Sequence, residues 1–145
     1  MTDVAKARES AIAAETRIET TMNRALDRLH ALNNRLVELH ALIKEAQPVA
    51  SGAICLELYP CGPGCSGCPH PRWVKYMWTE ATDNRPAMLL GLNLDSKGKD
   101  PVRALLRKGT HYPATVKLIR EAKTILAERA NILSCVRPLR YAAKS

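Results

Sequence analysis

Residues 52–78 read GAICLELYPCGPGCSGCPHPRWVKYMW, and this stretch decides the fold. In Ala53-Ile54-Cys55-Leu56-Glu57-Leu58-Tyr59, Ile54, Leu56 and Leu58 fall on one face of an extended chain, the period of a half-buried strand. Trp73-Val74-Lys75-Tyr76-Met77-Trp78 is rich in aromatics and reads as a second strand. Between them lie Cys61, Cys65, Cys68 and His70, four sulfur or imidazole donors in ten residues. Gly62, Pro63, Gly64 and Gly67 let the backbone turn tightly enough to bring those donors round one ion. Zinc takes four tetrahedral thiolate or imidazole ligands, and a closed four-ligand set is structural. The spacing therefore predicts a zinc-knuckle-like loop with a structural Zn2+ on Cys61, Cys65, Cys68 and His70. Cys55 stands as an alternative to His70, or as a reduced strand residue. A set of free or disulfide-bonded thiols is the competing reading of the cluster, and thiolate clusters also accept iron. No HxE element accompanies the cluster, so a catalytic zinc with an open position and a general base is not expected.

Working outward, Pro86–Leu94 (PAMLLGLNL) alternates with Met88, Leu90, Leu92 and Leu94 in phase, which predicts a third strand after the turn-rich stretch Ala81–Arg85. A three-stranded antiparallel sheet of this size is marginal alone, and a metal in its first hairpin would staple it. Upstream, residues 1–47 hold no Pro or Gly and read as one helix stopped by Pro48. Ile18, Met22, Ala25, Leu29, Leu32, Leu36, Leu39 and Ile43 step by four and three, the spacing of a coiled coil, with Leu26 and Leu42 widening the seam. Such a helix is roughly 70 Å long, too long to lie along a compact domain for its whole length. Its spare length is expected to pair with a second copy, giving a homodimer. His30 and His40 fall off the seam and are expected to be solvated.

Downstream, Asp100-Pro101 is an N-cap followed by a first helical residue. A short helix over Val102–Lys108 is predicted to end at Gly109, and a longer one to run from the turn at Thr110–Pro113 to about Val136, with Pro138 as its stop. Leu118, Ile119, Ala122, Ile125, Leu126, Ile132 and Leu133 form its apolar stripe, with Lys117, Arg120 and Lys123 on the other side. Arg129 falls inside the apolar arc, either snorkelling or pairing with Glu15, which interrupts the first helix's seam. The first and last helices are expected to pack together. The fold class is α+β, in three segments: 1–48 a long coiled-coil-type helix, 49–100 the zinc-stapled antiparallel sheet, and 101–145 a basic helical hairpin.

Charge follows the same division. The chain of 145 residues carries a formal net charge of +8. Residues 1–48 and 49–100 are each balanced, whereas residues 101–145 hold ten Lys/Arg against Glu121 and Glu128 alone. A basic segment of this kind attracts polyanions. DNA or RNA binding is therefore assigned to Arg103, Arg107, Lys108, Lys117, Arg120, Lys123, Arg137 and Arg140, with Lys144 beyond them. The helix–turn–helix spacing of 102–135 and the sheet aromatics Trp73, Tyr76 and Trp78 are weaker pointers to the same partner. A solvated helix face and a set of core aromatics are the plainer readings of these features. No apolar run is long enough to cross a membrane and the N-terminus lacks a secretion signal, so a cytoplasmic protein is expected. No phosphate-binding loop, dinucleotide fingerprint, metalloprotease or nucleophile-elbow motif is present, so no catalytic residue is assigned and no enzyme is expected.

The run from Gly52 to about Leu133 resembles an uncharacterised small Cys/His-motif domain of prokaryotic phage-, transposon- and plasmid-associated proteins. The resemblance is carried by Cys61-Gly62, Gly64-Cys65, Cys68, His70-Pro71, Trp73 and Tyr76. That domain usually has a closer second cysteine pair. The resemblance covers a little over half of the chain, and the long helix lies outside it. It implies metal binding and a mobile-element setting. The expectation is thus a nucleic-acid-binding accessory or regulatory protein of a mobile genetic element. The alternative is a protein-interaction module, a phage inhibitor or adaptor, that binds a protein partner through its helices and sheet.

Overall fold

The computed structural model describes residues 2–106 and 112–144. It is α+β. A 44-residue helix α1 (Thr2–Glu45) leads into strands β1 (Ala53–Tyr59), β2 (His70–Trp78) and β3 (Leu89–Asn93). After a single 3-10 turn at Asp95–Lys97 come α2 (Pro101–Leu106), α3 (Pro113–Leu133) and α4 (Val136–Ala143). The sheet is antiparallel throughout, in the order β1-β2-β3.

One hydrophobic cluster draws on every segment of the chain. Leu36, Leu39 and Ile43 of α1 meet Ile54 and Leu56 of β1, Trp73 of β2, Leu105 of α2 and Ile119 of α3. The strand register explains the sheet's share. Leu56 lies opposite Trp73 and Ile54 opposite Lys75, so Leu56 and Trp73 point to the same face, towards the helices. Trp73 is therefore a core residue rather than a stacking platform for bases.

The seam of α1 divides into two parts. Leu32, Leu36, Leu39 and Ile43 are buried, whereas no described residue before Leu32 is. The first 26 residues of α1 extend about 40 Å beyond the core, at 1.5 Å per residue. Val4, Ile12, Ile18, Met22 and Leu26 are exposed along that length. Ion pairs fix the part that packs. Arg28 Nη2 lies 2.6 Å from Glu128, and Arg35 Nε lies 2.7 Å from Glu121, so α1 and α3 are joined as expected. Arg35 also pairs with Glu38 at 2.8 Å. Thr115 Oγ1 donates to Ala46 O at 2.7 Å, satisfying one of the carbonyls that a helix end leaves open.

The free edge of β1 is closed by side chains of α1 and the turn after it. Gln47 donates from Nε2 to Ile54 O at 2.5 Å and accepts from Ile54 N at 3.0 Å. His40 donates from Nδ1 to Leu56 O at 2.5 Å, so it is not the solvated residue its position off the seam suggests. His30 is exposed, with Asn34 Nδ2 at 3.3 Å from its Nε2. Among the described residues, no further strand pairs with the opposite edge, β3. The third strand is shorter than the expected Pro86–Leu94, and the alternation of Met88, Leu90 and Leu92 does not bury them. The helices pack on β1, two strands away, and of this series Leu94 alone reaches the core. On the other face of the sheet, Gly91 leaves room for Tyr76: a Cβ at Gly91 would stand 2.9 Å from Val74 Cγ1 and 3.3 Å from Tyr76 Cε1.

At the C-terminus, Asp100 caps α2 as expected, accepting from Arg103 N at 3.1 Å. The predicted end of this helix at Gly109 lies outside the described residues. Pro138 does not end the last helix. α3 stops at Leu133, and Pro138 is the third residue of α4, where a backbone N–H has no intrahelical acceptor to lose. Among the described residues, no helix is long and apolar enough to cross a membrane.

Candidate metal centre

The connection between β1 and β2 begins after Tyr59 and ends before His70, and these two residues are themselves the last pair of the hairpin. Cys61 follows that pair by two residues and His70 belongs to it. Closing the loop on itself therefore brings donors from both ends together. Gly64, at φ +83°, has the left-handed backbone that an L side chain would strain, and it carries the chain from Cys61 round to Cys65.

The ligand atoms of Cys61, Cys65, Cys68 and His70 all lie within 4.8 Å of one another. Cys61 Sγ is 3.3 Å from Cys68 Sγ, and Cys65 Sγ is 3.4 Å from His70 Nε2. A tetrahedral ion with metal–sulfur bonds of about 2.3 Å needs sulfurs about 3.8 Å apart, within this range. The four residues fit one metal ion and fill its tetrahedron. Cys55 is not among them. It is buried in β1 opposite Val74, and burial pushes its thiol up to about 11. His70, not Cys55, is thus the fourth donor of the group that could hold an ion.

The thiols do not share their protons evenly. Cys61 N donates to Cys68 Sγ at 3.3 Å, and this backbone bond, with that from the Cys61 thiol, holds Cys68 below its ordinary range. Hydrogen bonding to Cys65 and then to Cys68 pushes Cys61 up to about 12. Backbone amides aimed at sulfur favour thiolate, the form that binds metal.

Arg129 links this loop to the helices. It is 4% exposed, on the inner side of α3. Its Nη2 donates to Gly67 O at 2.8 Å and Pro69 O at 2.9 Å, and its Nε donates to Asn33 Oδ1 at 2.7 Å. It neither snorkels nor pairs with Glu15. Burial lowers its pKa, while Cys68 and Cys65 act in the opposite sense. A Cys3His site on a divalent ion carries a net negative charge, and the guanidinium stands beside it. The sequence signal for this role is a cation inside an apolar arc, because such a group needs acceptors when it is buried.

The basic candidates fall into two groups. Arg103, Lys117, Arg120 and Lys123 are exposed on α2 and α3. Lys123 is bound to the Asp100 carboxylate, and Lys117 lies near Glu121. Arg137 and Arg140, with Lys144, face the metal loop instead, across a cavity of about 690 Å³ whose other wall includes Cys65 and His70. Arg140 Nη1 lies 3.5 Å from both Gly64 O and Ser66 Oγ. Arg107 and Lys108 lie outside the described residues, as does His111. Of the sheet aromatics, Trp78 is exposed and Tyr76 half-buried. Cys135 is exposed at the start of α4, outside the donor cluster. No protein-family model matches this chain, and neither does any curated protein or solved structure searched.

Proposed function

We propose that this chain is a nucleic-acid-binding accessory or regulatory protein, built round a structural zinc and dimerised through the free length of α1. The observation that carries the reading is the facing of Arg137, Arg140 and Lys144 onto the metal loop with no acidic side chain on the described cavity wall. A three-thiolate, one-imidazole donor set favours zinc, and a filled tetrahedron gives it a structural role. The resemblance of residues 52–133 adds a mobile-element setting. The exposed apolar seam of α1 favours a second copy as its partner. The test is fluorescence anisotropy of labelled single-stranded and duplex oligonucleotides with the zinc-loaded protein. Three or more phosphate contacts predict at least about tenfold weaker binding at 200 mM than at 50 mM salt. Binding that salt leaves unchanged, or no binding at 50 mM, overturns the reading.

A second reading has its own observation. Met77, Trp78, Met88, Leu89, Leu90 and Leu92 are all exposed around the outer edge of β3. An extended protein segment that adds a strand there would cover them, and such an apolar contact would resist salt.

A further inference from the structure

We propose that the cavity between the metal loop and α4 seats a nucleotide of single-stranded nucleic acid, with its phosphate on Arg137 and Arg140 and its base stacked on Tyr141. This deepens, and rests on, the nucleic-acid reading above.

Three features of the cavity point to that ligand. The first is the spacing on α4. Arg137, Arg140, Tyr141 and Lys144 lie at steps of three, one and three, so all four share one helix face, and all four line the cavity. The second is that this face, though solvent-exposed, borders the metal loop. A helix that reads a duplex groove presents its basic face outward, free of its own domain. The basic face of α4 instead stands opposite the Cys65–His70 loop, across a cleft of about 690 Å³, a volume that suits a nucleotide rather than a whole duplex groove contact. The third is Tyr141 itself. It is 82% exposed, with an aromatic ring beside three cations. Successive bases stack on such rings in proteins that hold single strands, while cations follow the backbone.

The metal loop completes the site from the other side. Ser66 brings a hydroxyl to the cavity wall, within 3.5 Å of Arg140 Nη1. Arg129 ties the loop to α3 through Gly67 O and Pro69 O, and a bound ion would tie its four donors together. The basic face of α3 is left with a lesser part, since Lys123 is already bound to Asp100.

The experiment uses full-length zinc-loaded protein with fluorescein-labelled dT12 and a labelled hairpin duplex, at 50 mM salt. The expected result is dT12 binding at least about tenfold tighter than the duplex. Tyr141→Ala should weaken dT12 binding about tenfold, and Tyr141→Phe should leave it unchanged. Arg137→Ala with Arg140→Ala should weaken it further, whereas Lys117→Glu with Arg120→Glu should act on it less. Tyr141 is exposed, so its variants keep the fold, and far-UV circular dichroism checks this. Equal binding of both probes, insensitive to Tyr141→Ala but lost in Lys117→Glu with Arg120→Glu, overturns the cavity and leaves the nucleic-acid reading standing. Binding of neither probe overturns both.

Discussion

Arg129 holds three acceptors that nothing else in the described structure serves in its place. Removing its side chain leaves Gly67 O, Pro69 O and Asn33 Oδ1 short of a donor in a part-buried setting. Each unsatisfied buried group costs about 1–3 kcal/mol. Arg129→Met, which keeps the bulk, is expected to lower the urea-unfolding free energy by at least about 2 kcal/mol and to weaken zinc binding in a chelator competition. Arg129→Lys should recover little, since an ammonium cannot repeat the planar fork. A variant as stable as the parent, with unchanged zinc affinity, would show that the loop does not depend on this anchor. Spacing alone pointed to Cys61, Cys65 and Cys68 and left His70 and Cys55 as alternatives for the fourth donor, and the fold brings His70 to the group. Arg129's partners were not legible, because two are backbone carbonyls about sixty residues away and carry no side-chain signal.

Carboxylates at the same scale set the acid limit of the fold. Arg35 holds Glu121, and Lys123 holds Asp100, below the usual carboxylate range. A depressed folded-state pKa contributes stability that is fully present above the unfolded pKa and is lost as pH falls through the folded one. Both pairs are partly exposed, which reduces the effect of each. The thermal midpoint is expected to hold from pH 7 to about 5 and to fall below about pH 4, the ordinary carboxylate range. Glu121→Gln with Asp100→Asn should lower the midpoint at pH 7 and flatten that fall. A profile as steep in the double variant as in the parent would assign the acid sensitivity elsewhere.

Among the elements, α1 shows most clearly what a sequence pattern does and does not contain. The four–three steps from Ile18 to Ile43 announce a helix with an apolar seam, and the helix is there. They do not say that Leu32 to Ile43 serves the chain's own core while Ile18 and Met22 are left in solvent, because both uses require the same period. The sheet shows a similar ambiguity. Alternation in β3 predicts a strand, but which face is covered depends on helices that pack two strands away. Gln47 and His40 close the edge of β1 through backbone groups, which no side-chain pattern encodes. The free half of α1 gives a direct prediction. Ile18→Glu with Met22→Glu should convert a dimer to a monomer in sedimentation velocity, and should change the monomer's own unfolding by no more than about 0.5 kcal/mol, as for other exposed positions. A parent protein that is already monomeric at tens of micromolar, or a double variant that stays dimeric, would remove α1 from the dimer contact.

For the molecule as a whole, the question is how much of the fold a bound metal would support. The core of Leu36, Leu39, Ile43, Leu56 and Ile119 contains none of the loop donors, and the Arg28–Glu128 and Arg35–Glu121 pairs join α1 to α3 without it. The hairpin end is different. Tyr59 and His70 form its last pair, His70 is itself a donor, and Trp73 enters the core only three residues later. Loss of the ion should therefore act as a gradient: strongest at Cys61–His70, weaker at Trp73, and least at Ile119. It should also release the wall that faces Arg137 and Arg140, so that oligonucleotide binding falls while the helices persist. Amide exchange after EDTA treatment tests this residue by residue. Protection should drop for 57–59 and 70–72 and stay within about threefold for 116–125, with far-UV ellipticity nearly unchanged. Cys65→Ser should reproduce the pattern without chelator. Uniform loss of protection along the chain would make the metal a condition of folding for the whole molecule, since binding free energy at a site that exists only in the folded state is then folding free energy. No loss anywhere would make the ion dispensable to the hairpin, leaving Arg129 and Arg140 to hold the loop against the helices.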